Sequence, residues 1–402
     1  MTKTVAWTPV EGAQRATDLA TRTFGEPPVG VWCAPGRVNL IGEHVDYNGG
    51  TSVPIALPHC TYAAVNPRQD TTLRIVSEQT GEVVEVDLQD FPKAEGSWVS
   101  YVAGTLKALD ELGYFPLRGM DVAITSCVPL GAGLSSSAAL ECAVALAAAD
   151  LGEPSEEFRK LDEDGQRAAL ARACVIAEND YAGAATGGMD QAASLRAKKG
   201  HALAFDAKDG SVTHVPLDLE GWDHTLLVID TRASHTLADG QYASRREASE
   251  RAAALLGFDL LAEASEQDLS RLDDPLLLKR ARHVVTEVAR TEDFLRQLDG
   301  AEADQIEEIG RLMTASHASL RDDYEVSCEE LDVAVEAALG AGAVGARMTG
   351  GGFGGSAIAL VPNDVLDQVE DAVLEAFKAH GFQAPDLIEA VPAEPARKVS
   401  VS

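Results

Sequence analysis

Apolar residues recur at three- and four-residue spacing over 12–24, which predicts an amphipathic helix near the start of the chain. The texture then changes to short runs rich in Val, Ile, Leu and Thr. Segments 29–34, 52–57, 61–66, 72–77 and 83–88, separated by Gly, Pro and Asn turns, predict five strands. A helix at 98–112 leads to a strand at 119–127. After it come a Gly/Ser loop, an Ala-rich helix at 137–150 and further helix across 155–180. Beyond residue 195 a second strand cluster is predicted at 201–206, 212–217 and 225–230, followed by helices at 244–256, 275–298, 302–320 and 328–340. Segment 344–361 reads as strand, Gly-rich turn and strand, and a helix at 364–380 and a strand near 387–392 complete the series. Strands and helices mixed in both halves predict an α/β (α+β) protein of two domains. The Gly/Lys/Asp-rich stretch around 196–210 is the candidate boundary, dividing 1–198 from 199–402.

Composition narrows the class. A chain of 402 residues with 46% apolar and 24% charged residues buries a large core, and disorder as the main state is excluded. The 64 acidic residues against 33 basic give a net charge of −31, which repels phosphate backbones and anionic lipid. Neither nucleic acid nor a membrane is therefore an expected partner, although a local basic pocket can still take an anion. The same acidity favours a monomer. The six cysteines form no C-x-x-C pair, and MTKTVAWTPVEGAQ at the start has no apolar signal region, so a reducing, cytoplasmic setting is expected.

Three loops carry candidate chemistry. In the first, Ala34 to Asn48, an Arg, a Glu, a His and an Asp (Arg37, Glu43, His44, Asp46) fall within ten residues among glycines. Such a set suits a polyol or sugar, because hydroxyls need both donors and acceptors and a mismatched epimer strands a buried polar group. A polar turn is the plain alternative; the spacing matches no two-His metal pattern. The second loop, Gly131-Ala132-Gly133-Leu134-Ser135-Ser136-Ser137-Ala138, lies between a predicted strand and a predicted helix. Glycines there let backbone approach phosphate, and a helix N-terminus favours anions. A Gly/Ser turn ending in a serine cap reads equally well. In the third loop, Gly350, Gly352 and Gly355 satisfy G-x-G-x-x-G, but a strand follows where a dinucleotide site requires a helix. Close approach of backbone to a ligand is the better explanation of these glycines. Glu178, at a helix end, and Asp190, after the Gly187-Gly188 pair, are either turn residues or catalytic carboxylates.

Taken in order, the three loops resemble the GHMP small-molecule kinases. The run G-R-V-N-L-I-G-E-H-V-D-Y resembles the motif of the galactokinase branch, P-L-G-A-G-L-S-S-S-A-A-L-E the phosphate loop, and T-G-G-G-F-G-G the third motif. The resemblance implies two α/β domains with the active site in the cleft between them. It also implies transfer of the γ-phosphoryl group of ATP, with Mg²⁺, to the C1 hydroxyl of D-galactose.

Carried onto this chain, the resemblance puts Arg37 beside the attacking hydroxyl and makes Asp190 the catalytic carboxylate. Glu43, His44 and Asp46 hold sugar hydroxyls, Gly187 approaches the sugar by its backbone, and Tyr242 contacts it. Residues 131–138 wrap the phosphates, Ser137 and Glu178 reach Mg²⁺, and Trp98 lines the adenine pocket. One departure is the lead into Met189-Asp190-Gln191: the family often has Pro-Cys-Gly, and here Ala185-Thr186-Gly187-Gly188 precedes it. The rival readings are a related kinase acting on N-acetylgalactosamine, arabinose, mevalonate or homoserine, and a sugar sensor without turnover.

Overall fold

Thr8 opens the first helix for local reasons. Its hydroxyl accepts from the Glu11 N–H at 3.3 Å, the Glu11 carboxylate accepts from the Thr8 N–H at 2.8 Å, and Pro9 takes the first helical position. This helix is α1 (Pro9–Phe24). The computed structural model describes residues 4–94, 96–184, 186–233 and 238–400. After α1 come β1 (Gly30–Asn39), β2 (Thr51–Ser52), β3 (Pro54–Pro67), β4 (Thr72–Ser77), β5 (Val83–Asp87), α2 (Val99–Glu111), β6 (Met120–Ser126), α3 (Ser136–Leu151), α4 (Glu156–Lys160) and α5 (Glu163–Ile176). A π-helical turn at Ala177–Ala182 leads towards α6 (Met189–Arg196). The second half holds β7 (His201–Asp206), β8 (Val212–Pro216), β9 (His224–Asp230), α7 (Ala238–Leu256), α8 (Pro275–Leu298), α9 (Ala303–Ser319), α10 (Glu329–Gly340), β10 (Gly345–Thr349), β11 (Ser356–Pro362), α11 (Leu366–His380), β12 (Asp386–Ala390) and β13 (Arg397–Val399).

The larger sheet has the order β13-β1-β3-β6-β4-β5, with β4 and β6 parallel and the other neighbours antiparallel. Alternation along β1 separates its two faces. Val31 and Cys33 meet Ala13, Ala16 and Leu19 of α1, whereas Trp32 and Ala34 meet the cluster built by α2, α3 and α5. The second sheet, β10-β11-β9-β12, is antiparallel. Leu227 and Ile229 on one face join the helices of the second half; Leu226 and Val228 on the other pack with Val38, Ile41, Val53 and Ile55 of the first half. The halves thus share a core, and the loops after β1, β6 and β10 converge at its edge. A third sheet, β2-β7-β8, also joins the halves.

Three sequence expectations need correction. The segments 52–57 and 61–66 are not separate strands, since β3 runs unbroken from 54 to 67. Pro58, which has no N–H to give, lies opposite the bulge at Pro35/Arg37, where the ladder is interrupted anyway. The helix expected across 155–180 breaks at Leu161 and Asp162, both extended, and Asp162 caps α5 by accepting from the Gly165 N–H at 2.8 Å. The strand β13 was not foreseen: three residues carry too little alternation to read, and pairing with β1 decides their conformation.

Candidate active site

The site is assembled at the end of β1. The bulge there leaves the Arg37 N–H free to donate to Leu134 O at 3.1 Å, tying the strand to the loop after β6. A Cβ on Gly36 would lie 2.5 Å from that same carbonyl, so only glycine allows the approach. The Arg37 guanidinium donates from Nε and Nη2 to Asp190 Oδ1 at 2.8 and 2.7 Å, and from Nη1 to Gly133 O at 2.6 Å. The other Asp190 oxygen accepts from the Ser135 hydroxyl. Ser135 stands at the cap position of α3 with φ 58° and makes no side-chain cap bond. The serine-cap reading is thereby corrected: the hydroxyl is committed to Asp190 and the first-turn N–H groups of α3 have no side-chain cap.

Glu43 is buried, and its Oε2 accepts from Arg347 Nη2 at 2.8 Å and Asn39 Nδ2 at 3.1 Å. Burial pushes its carboxyl up to about 7 against the opposing pull of Arg347 and Arg37. Asp46 is pushed up to about 6, first by burial and then by the charge of Asp190. Gly187 lies against Asp46: a Cβ there would stand 2.3 Å from the carboxylate oxygen. His44 is held from both sides, with Nδ1 2.9 Å from Tyr47 Oη and Nε2 3.2 Å from Gly351 O. A carbonyl only accepts, so Nε2 carries the hydrogen. Burial, then His283, lowers the ring to about 3, so Nδ1 is a bare acceptor for the Tyr47 hydroxyl. Tyr242 completes the wall, its ring centroid 5.4 Å from that of His44.

Arg37, Glu43, His44, Asp46, Glu178, Asp190 and Tyr242 line one polar cavity of about 120 Å³. Gly350 and Gly351 of the third motif join them, as do Thr186 and Met189, which sequence reasoning missed. Their only signal was adjacency to Gly187 and Asp190. Arg347, just ahead of the Gly-rich loop, was missed as well; it is fully buried and paired with Glu43. Ala185 lies outside the described residues.

A second cavity, of about 240 Å³, opens beside the first, lined by Trp98, Tyr101, Ile124, Leu140, Ser136 and Ser137 among others. Of the expected phosphate loop Ser136 and Ser137 line this cavity, whereas Gly131, Ala132, Gly133 and Leu134 do not; they form the turn ahead of α3, held where Ala132 O accepts from Ser356 Oγ at 2.7 Å. Ala138 is wholly buried in the first turn of α3. The cavities meet where Ser137 Oγ donates to Glu178 Oε1 at 2.9 Å. Glu178 is carried by the π-helical turn, and burial followed by the charge of Asp190 pushes it up to about 7. Among the described residues no cluster of three or more His, Cys, Asp or Glu forms a metal cage, and no helix is long and apolar enough to cross a membrane.

Two mixed α/β halves that meet at a polar cavity, whose Arg37–Asp190 pair is hydrogen-bonded to a phosphate-type loop, define an ATP-dependent sugar kinase of the GHMP class. The model of the GHMP kinases N-terminal domain matches residues 100–198, and that of the GHMP kinases C-terminal domain matches 295–379. The galactokinase galactose-binding signature matches residues 21–67. The galactokinase of Streptomyces coelicolor is 48% identical over 94% of this chain and 96% of its own, and that of Mycobacterium tuberculosis 42% identical over 88% and 94%. The crystal structure of Lactococcus lactis galactokinase complexed with galactose superposes with a TM-score of 0.86 at 32% identity, covering 95% of this chain and 98% of that one. Methanococcus jannaschii mevalonate kinase shares the fold, with a TM-score of 0.60 at 17% identity over 90% and 98%. The chain belongs to the galactokinase family.

Proposed function

We propose that the chain transfers the γ-phosphoryl group of ATP to the C1 hydroxyl of α-D-galactose, giving α-D-galactose 1-phosphate and ADP, the first step of galactose breakdown. One observation carries this reading. A polar cavity walled by the Arg37–Asp190 pair meets an aromatic-walled cavity at the Ser137–Glu178 hydrogen bond.

Galactose occupies the polar cavity. Asp46, and Glu43 through the oxygen not given to Arg347, accept from its hydroxyls, and Tyr242 packs beside the ring. His44, with both ring nitrogens engaged, walls the sugar and steadies Gly351. Gly187 brings its backbone beside Asp46. ATP lies with its base against Trp98 and its phosphates along Gly131, Ala132, Gly133, Leu134, Ser135, Ser136, Ser137 and Ala138. Ser137 and Glu178 suit Mg²⁺, a hard cation that takes one or two protein oxygens and completes its shell with phosphate and water. When bound, that ion neutralises charge on the phosphates.

Transfer forms the O1–phosphorus bond and breaks the bond from the γ-phosphorus to the bridging oxygen, so that ADP leaves. Asp190 accepts or orients the O1 proton. The Arg37 guanidinium stabilises charge on the moving group. Its bond to Gly133 O also holds the phosphate loop in register with the sugar.

Residues 1–198 and 199–402 are taken as the two domains, with β13 returning to the first sheet. The six free cysteines support a reducing, cytoplasmic setting, and the net charge of −31 supports a monomer.

The test is ADP release from purified protein with Mg-ATP and galactose, N-acetylgalactosamine, glucose, arabinose or mevalonate. Turnover with galactose is expected. Glucose should be poor, because one inverted hydroxyl strands a buried partner at about 1–3 kcal/mol. Equal kcat/KM for the two hexoses overturns the sugar assignment, and failure with galactose overturns the reaction. Asp190→Asn should lower kcat more than about tenfold, roughly 1.4 kcal/mol, with galactose Kd unchanged; a smaller fall removes the base role.

A further inference from the structure

Helix α3 is almost wholly apolar beyond its first turn, yet Glu141 lies in its middle with no exposed surface. Burying a carboxyl whose hydrogen bonds are incomplete is unfavourable by several kcal/mol, and an apolar residue would fill the same space. The acid therefore needs a reason other than packing.

Its contacts supply one. Glu141 Oε2 accepts from Gln191 Nε2 at 3.2 Å, while Oε1 has no hydrogen-bond partner among the described residues. The same Gln191 nitrogen donates to Glu178 Oε2 at 2.5 Å. Gln191 is itself buried and follows Asp190 in the first turn of α6. One amide nitrogen thus forks its two hydrogens between a carboxyl at the cavity and a carboxyl behind it. With the far branch held by Glu141, the plane of the amide is fixed. That in turn fixes which edge of Glu178 faces Gln191 and leaves Oε1 for Ser137 and the cavity.

We propose that Glu141 is a positioning residue: acting through Gln191, it sets the orientation of Glu178 and so the affinity of the Ser137–Glu178 pair for the divalent cation that accompanies ATP. This rests on the assignment of Glu178 as a cation ligand made above. Glu141 itself touches neither substrate nor cation.

The test is Mn²⁺ binding to the full chain with ADP present and no turnover, read from the electron paramagnetic resonance of free Mn²⁺. KM for galactose is measured alongside. The variants are Glu141→Met, Glu141→Gln, Glu178→Ala and the Glu141→Met/Glu178→Ala double. Glu141→Met removes a poorly satisfied buried acid and should melt no lower than the parent. It should nonetheless weaken Mn²⁺ binding about tenfold, the scale on which residues supporting a ligand act. KM for galactose should stay within about twofold. Glu141→Gln, whose oxygen can still accept from Gln191, should restore binding to within about threefold. On the Glu178→Ala background, Glu141→Met should have no further effect.

Mn²⁺ affinity within about twofold of the parent in Glu141→Met overturns the inference, as does an equal weakening on the Glu178→Ala background. If Glu178→Ala alone leaves Mn²⁺ affinity unchanged, the ligand assignment fails and the inference falls with it. Normal weakening in Glu178→Ala beside an unaffected Glu141→Met sinks the inference alone. Should Glu141→Met not fold, Gln191→Met cuts the same fork from the other side and is held to the same thresholds.

Discussion

At the scale of the residue, burial assigns roles that residue type leaves open. His44 belongs to a run whose composition suits hydroxyl binding, but both of its nitrogens are engaged within the protein. His283, also fully buried, sits between Ser319 Oγ at 2.9 Å and the Glu43 carbonyl at 3.1 Å, and burial lowers it to about 4 from an ordinary 6.5. Between those values the unfolded chain binds a proton that the folded chain refuses. The stabilisation is therefore whole above pH 6.5 and is lost as pH falls towards 4. The carboxyls of Glu43 and Glu178, pushed up to about 7, act with the opposite sign across pH 4.5–7. His283→Asn should thus narrow the drop in stability between pH 7.5 and 5 by a few kcal/mol at most, read from urea midpoints. An unchanged drop would contradict the buried neutral imidazole. Gly187→Ala should raise KM for galactose about tenfold at constant KM for ATP, because its Cβ displaces Asp46. Equal shifts in both constants would place the damage elsewhere. The Arg, Glu, His and Asp of the first loop were legible because polar residues crowd a short loop. Arg347 and Gln191 were not, since a buried positioning residue leaves no mark on local composition.

At the scale of the element, three irregularities build the site. The bulge in β1 turns Arg37 towards Asp190, the left-handed Ser135 starts α3 beside them, and the π-helical turn after α5 brings Glu178 to Ser137. None follows from periodicity, which reports regular elements and is silent on where one residue too many is absorbed. Gly36→Ala puts a Cβ 2.5 Å from Leu134 O and must push the phosphate loop off β1. The expected result is a fall in kcat of about tenfold or more, with a lower melting temperature. Unaltered kcat would show that the strand and the loop need not be in register.

At the scale of the whole molecule, charge and the shared core matter most. A net charge of −31 repels itself in the compact state, and salt screens that repulsion over about 10 Å at 0.1 M. The melting temperature should rise as NaCl increases from about 0.02 to 0.5 M, and a flat or falling curve in a scanning calorimeter would show that the charges are already locally balanced. The core argues against two loosely hinged halves. Val38, Ile41 and Ile55 pack with Val228 and Ile358, and the buried Arg347–Glu43 pair crosses the same junction.

Local sequence was enough for most helices, most strands and the three loops, because caps, periodicity and glycine clusters act over a few residues. It also singled out Arg37, Glu43, His44, Asp46, Glu178 and Asp190, which line one cavity with Tyr242, a residue that only the family resemblance brought in. Only the tertiary structure decided that 52–57 and 61–66 are one strand, that 397–399 returns to β1, and that Ser135 bonds Asp190. Each of these depends on a partner far along the chain. A buried polar group must find its hydrogen bond wherever the fold brings one, and sequence spacing carries no record of that distance.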